Sequence, residues 1–270
     1  MNDTVERVMV SDRGVGNARL VELQPGRPGP SVFLIPGSGG RVDGFSELAR
    51  LLDTAMPIVG IEARGVDSTV DWDHDLETLV QHYIERIRNV QPNGPYFLVG
   101  YSFGGAIAFE MAQRILAMHE RVACLVLLDT MLPTRYWPRR FYLAKLGARM
   151  YGHLERIMNG SIADSINYYT WRLGRRWQGL HDVPAELTFG RESARMLMAV
   201  HMLLEQWRPE FYPGRVTLFC AADSKLWTLY ESRVAELETH IFAGEHTNLL
   251  DEPYVSSVAI DVSACLTKAS

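Results

Sequence analysis

The sequence predicts an α/β fold built on a mostly parallel sheet flanked by helices. Six short apolar runs are bounded by turn residues, and amphipathic stretches at three- and four-residue spacing lie between them. A length of 270 residues with 47% hydrophobic content suffices for one full core. Alternation of this kind gives parallel strands joined by right-handed crossovers.

The elements follow in order. The first 19 residues read as a loose arm and the Gly/Pro-rich stretch 25–30 as a turn. Strands are expected at Val32–Ile35, Ile58–Ile61, Tyr96–Val99, Cys124–Leu128, Val216–Cys220 and Thr239–Phe242. They are nearly continuous apolar runs, the pattern of strands covered on both faces. Helices are expected at Phe45–Leu52, Leu76–Val90, Gly105–Leu116 and from about Pro253 to Leu266. One segment breaks the alternation: Met131–Pro213 holds no convincing strand and reads as several helices punctuated by Pro133, Pro138, Pro184 and Pro209. The expected organisation is a single domain with core 20–131 and 213–270, a helical lid 132–212 over the sheet's carboxyl edge, and an arm 1–19.

Composition excludes several classes. No basic segment leads into an apolar run at the start, and no stretch of about 18 uncharged apolar residues occurs, so a soluble cytoplasmic protein without a membrane partner is expected. Three widely spaced cysteines, Cys124, Cys220 and Cys265, argue against disulfides and against a thiolate metal site. No nucleic-acid partner is expected. The net charge of -5 conceals an asymmetry: residues 132–215 carry 13 Lys plus Arg against 7 Asp plus Glu, and the remainder 14 against 25. A basic middle solvates helix faces or offers an acidic partner a docking surface.

The chemistry centres on Gly100-Tyr101-Ser102-Phe103-Gly104, a Gly-x-Ser-x-Gly run between a predicted strand and a predicted helix. Such a turn presents a strained serine at a helix N-terminus, where free NH groups favour developing negative charge. A serine needs a base, and the base an orienting acid. Among eight histidines, His74, His82 and His119 precede or crowd the turn, His153, His181 and His201 lie in the insertion, and His240 is within the last strand. His246 remains, in the loop Gly244-Glu245-His246-Thr247 that leads to the closing helix. Asp129 and Asp223 each end a strand at the sheet's carboxyl edge, and order alone leaves both open. Oxyanion donors are expected at the backbone NH of Phe103 and, from the loop Pro36-Gly37-Ser38-Gly39-Gly40, at that of Ser38.

Together "VFLIPGSGG", "PIVGIEARG", "GPYFLVGYSFGGAIAFEMA", "ERVACLVLLDT" and "GEHTNLL" resemble the thioesterase domains of polyketide synthases and nonribosomal peptide synthetases, in the α/β-hydrolase superfamily. The resemblance spans roughly residues 20–131 and 213–262. It implies the α/β-hydrolase fold and release of an acyl, polyketide or peptidyl chain from a phosphopantetheine-bearing acyl or peptidyl carrier protein through an acyl-Ser102 intermediate, by hydrolysis or cyclisation. Chain-terminating members carry the acid after the strand that follows the nucleophile turn, which maps onto Asp129; freestanding proofreading members carry it nearer Asp223. The GYSFGG and ARG stretches are more similar to the terminating type, favouring Asp129. No metal or bound cofactor is implied. The alternative is an ester hydrolase or acyltransferase acting on free small acyl substrates with the same three residues.

The lid repeats no family motif. Trp137, Trp171, Trp177 and Trp207, with Met131, Met150, Met158, Met196, Met198 and Met202, pack a core or line an acyl tunnel. Its positive balance suits an acidic carrier or the pantetheine phosphate. Gly65-Val66-Asp67-Ser68-Thr69 imitates a carrier attachment site, but it follows a core strand and is read as a turn; Glu62 to Gly65 are read as a structural loop.

Overall fold

The apolar runs become strands of one sheet, seen in a computed structural model that describes residues 7–8, 19–63, 75–139, 141, 143, 200–222 and 225–270. The strands are β1 Arg7–Val8, β2 Arg19–Gln24, β3 Val32–Ile35, β4 Ile58–Glu62, β5 Tyr96–Tyr101, β6 Val122–Leu128, β7 Tyr212–Ala221 and β8 Val234–Phe242. Their spatial order is β1-β2-β4-β3-β5-β6-β7-β8. From β4 to β8 every neighbouring pair is parallel, whereas β1 and β2 are antiparallel additions. This is the α/β-hydrolase architecture.

All six predicted strands are present, most with longer ends. The first two strands are new relative to the sequence reading, which took 1–19 as an arm. Only Leu20 and Val21 of β2 are buried, and its charged residues dilute the apolar signal. Arg19 and Glu62 are paired in register across β2 and β4, and their side chains form an ion pair in which the guanidinium Nε donates at 2.9 Å. Glu62 is thus a structural residue; Arg64, Gly65 and Ser68 lie outside the described residues.

Among the described residues, helices that accompany the sheet are α1 Ser46–Leu51, α2 Leu76–Val90, α3 Phe103–Ala117 and α4 Tyr254–Ala269. Asp75 caps α2 by accepting from Thr78 N at 2.7 Å, and the face Leu76, Leu79, Val80, Tyr83, Ile84, Ile87 is buried. Helix α2 ends before Pro92, where a proline disfavours further helical backbone. Ten of the fifteen residues of α3 are buried, as befits the helix behind the central strand. One apolar cluster joins Leu48 and Ala49 of α1, Val99 of β5, Val126 of β6 and Val255, Val258 and Val262 of α4.

The chain divides into two compact units, Met1–Leu132 with Gln206–Ser270, and Pro133–Glu205. In the second, a single turn at Thr134–Tyr136 is tied by Glu205, which accepts from Thr134 N and Oγ1 at 3.1 and 3.2 Å. Trp171, Trp177, Met150, Met158, Met196 and Met198 lie outside the described residues. Trp207, counted with the lid from sequence, belongs to the first unit: it is buried, meets Phe109 edge-on at 5.8 Å and donates to Glu110 Oε2 at 3.3 Å. All three cysteines are buried free thiols. No helix among the described residues is long and apolar enough to cross a membrane.

Candidate active site

Strand β5 ends at Tyr101, and the chain reverses at Ser102 with φ 55° and ψ -118° before entering α3. A residue with a side chain is strained there, so the surroundings must enforce the turn. They do so by close approach. A side chain at Gly100 would run into the Gly104 carbonyl group, and one at Gly104 into the carbonyl oxygens of Ile35 and Pro36. Ser102 N donates to Leu128 O at 2.8 Å, fastening the turn to β6.

Asp129 directly follows β6, also at positive φ (45°) and only 5% exposed. Its NH donates to Phe219 O at 2.8 Å. Its Oδ1 accepts from Ala221 N at 3.2 Å and its Oδ2 faces His246 Nδ1 at 2.6 Å. The imidazole is supplied by a short turn, His246–Asn248, after β8, and the loop is braced by Glu245 N donating to Asn248 Oδ1 at 2.7 Å. His246 Nε2 stands 2.9 Å from Ser102 Oγ. With the carboxylate on Nδ1, that nitrogen holds the proton and the Nε2 lone pair faces the hydroxyl. Three residues separated by 144 and 117 positions thus form a continuous line able to take a proton from a serine.

The loop after β3 flanks the same turn. Gly40 N donates to Gly37 O at 2.9 Å, and Gly37 lies so near that an added methyl would stand 3.3 Å from Ser102 Cβ. Ser38 is within this loop. Phe103 opens α3, and its NH, like every first-turn NH of a helix, has no acceptor four residues back. Asp223 lies outside the described residues. His240 is engaged elsewhere, with Nδ1 on Asp261 Oδ2 at 3.0 Å.

One residue escaped the sequence reading. Tyr101 stacks on His246 with ring centroids 5.3 Å apart and planes at 19°, and its hydroxyl donates to His246 O at 2.6 Å. Burial, reinforced by the charges of Asp129 and Asp251, pushes the phenol up to about 12, so it stays a donor. Only its place beside Ser102 hinted at a role.

Comparison with known proteins agrees with this architecture. A thioesterase domain family model matches residues 30–264. Enterobactin synthase component F of Escherichia coli is 34% identical over 131 residues, 48% of this chain and 10% of that protein. A non-reducing polyketide synthase of Pseudevernia furfuracea is 32% identical over an alignment covering 92% of this chain and 12% of that protein. The chain thus spans about a tenth of the length of either synthase. The solved NocB thioesterase domain superposes with a TM-score of 0.63 at 23% identity, covering 88% of this chain and 95% of that one. With the family match running through nearly the whole sheet and the Ser102 turn, this chain belongs to the thioesterase domain family of hydrolases, of the kind found in polyketide and nonribosomal peptide synthases.

Proposed function

We propose that the protein is a serine thioesterase that releases an acyl, polyketide or peptidyl chain from a phosphopantetheinyl carrier protein through an ester on Ser102. The observation that carries this reading is the proton line from Ser102 Oγ through His246 to Asp129, at 2.9 and 2.6 Å, inside a thioesterase domain. The likeness to synthases supports a carrier-bound substrate.

In the first transfer Ser102 Oγ attacks the thioester carbon and its proton passes to His246 Nε2. The C–S bond breaks, and the leaving pantetheine sulfur takes that proton. The NH groups of Phe103 and Ser38 hold the negative oxygen of the tetrahedral intermediate. Asp129 fixes the tautomer and stabilises the imidazolium without accepting its proton. In the second transfer a water, or a hydroxyl or amine of the chain itself, gives its proton to His246 and attacks the ester. The bond to Oγ breaks, Oγ regains the proton, and an acid or a ring departs.

Intact-mass measurement tests the reading. The protein is mixed in turn with acyl-pantetheine thioesters and with simple oxygen esters of the same acyl group. The expected result is an acyl adduct from the thioester, absent in Ser102→Ala. An adduct from oxygen esters alone would favour the free-substrate hydrolase or acyltransferase, and none from either would overturn the nucleophile assignment.

A further inference from the structure

A second cluster of reactive side chains stands apart from the Ser102 line, where the edge strand β8 meets the closing helix α4. Strand period two puts Glu238 and His240 on one face of β8, and helix period puts Asp261, Cys265 and Lys268 on one stripe of α4. Strand β7 supplies the floor: Thr217 and Phe219 are the register partners of Glu238 and His240, and the His240 ring lies flat on Phe219 with centroids 4.8 Å apart.

The placement of polar atoms is that of a ligand set. A nitrogen or oxygen of Glu238 and His240 and the Sγ of Cys265 all lie within 4.8 Å of one another. His240 Nδ1 meets Asp261 Oδ2 at 3.0 Å, a contact that orients the ring and accepts the Nδ1 proton when Nε2 serves as a ligand. That Nε2 is buried and has no hydrogen-bond partner, with Glu238 Oε1 3.4 Å away. A buried ring nitrogen met only by a carboxylate oxygen at that distance is weakly satisfied, and an ion between the two would bond both. A cavity of about 330 Å³, lined by Glu238, Cys265, Thr217, Lys268, Arg121 and Arg215 among others, opens beside two of the three candidate ligands.

We infer that Glu238, His240 and Cys265 form a site for a divalent transition cation of the zinc type, with Asp261 orienting the imidazole and a water or small anion from the cavity completing four-coordination. One sulfur, one imidazole nitrogen and one carboxylate oxygen suit zinc better than magnesium or calcium, which take oxygen sets. Ligands about 2.0–2.3 Å from zinc stand roughly 3.5 Å apart, so the set closes by about 1 Å. Cys265 binds as thiolate, releasing its proton to solvent. Lys268 Nζ, 3.4 Å from Glu238 Oε1, balances the carboxylate in the metal-free site and withdraws on its exposed stem when the ion enters. Widely spaced cysteines hid the site in the sequence, because only one of them is a ligand.

Cobalt(II) titration of the chelator-treated protein tests this. A thiolate-to-cobalt absorption saturating at one equivalent, displaced by zinc and lost in Cys265→Ser but kept in Cys124→Ser, is expected. Asp261→Asn weakens zinc binding about 10–100-fold, the usual loss when an orienting carboxylate is removed. Lys268→Gln strengthens it, a gain that misfolding cannot imitate. No saturable band in the wild type, a band that survives Cys265→Ser, or unchanged or weaker zinc affinity in Lys268→Gln overturns the site and leaves an ion-pair clasp between β8 and α4.

Discussion

Tyr101 holds His246 twice, by a flat ring contact at 5.3 Å and by a hydroxyl donated to that residue's own carbonyl oxygen at 2.6 Å. Apart from the Asp129 carboxylate on Nδ1, the imidazole rests on a short loop and is partly exposed. Tyr101→Phe keeps the ring and removes the bond. A hydrogen bond contributes about 1 kcal/mol, so turnover should fall about fivefold with KM little changed. Steady-state kinetics on a carrier-mimic thioester checks it; an equal rise in KM would show the contact acts on substrate binding.

Asp129→Asn should lower kcat by roughly 10³–10⁴, because the amide supports the wrong imidazole tautomer. Asp223→Asn should stay within a few-fold of wild type. Reversed outcomes would move the acid to the later strand. Single-turnover rates of both variants decide it.

Ser102→Gly should inactivate the protein yet stabilise it. The positive φ of 55° strains a serine and not a glycine, with a gain of about 1 kcal/mol. Thermal melting of the variant should shift upward; a downward shift would mean the turn is relaxed for serine.

Gly104→Ala should do the opposite at a position with no chemistry. Its β-carbon would meet the carbonyl oxygens of Ile35, the last residue of β3, and of Pro36 just beyond it, backbone atoms that cannot swing away as a side chain would. A loss of about 3 kcal/mol or an insoluble product is expected, read by urea unfolding.

How far these features were legible varies with the distance over which each signal acts. The Ser102 turn is encoded in five consecutive residues and the six long strands in local apolar runs, so both were readable. His246 and the pair of candidate acids followed from chain order and strand ends. Strand β2 was not readable, since Arg19, Glu22 and Gln24 interrupt its apolar residues and its pairing with β4, which sets Arg19 against Glu62, joins residues 43 positions apart. Tyr101 and the cluster at His240 were hidden for the same reason: each acquires meaning from a partner on another element. Asp223 and most of the insertion stay expectations.

Stability should decline at alkaline pH. Burial pushes Tyr101 and Tyr212 to about 12 from an ordinary value near 10. Their folded forms therefore hold protons that the unfolded chain gives up between about pH 10 and 12. The contribution is intact below pH 10 and disappears as pH rises through 12. Urea midpoints measured across that interval should fall, less steeply in Tyr101→Phe.

The order of strands in the sheet bears on biosynthesis. Ser102 and Asp129 leave the ribosome within 27 positions of each other, whereas His246 follows more than a hundred residues later, on the loop after the edge strand β8. Closing so long a loop is a late folding event. With the roles proposed above, a chain that still lacks its last strand has a serine without its base.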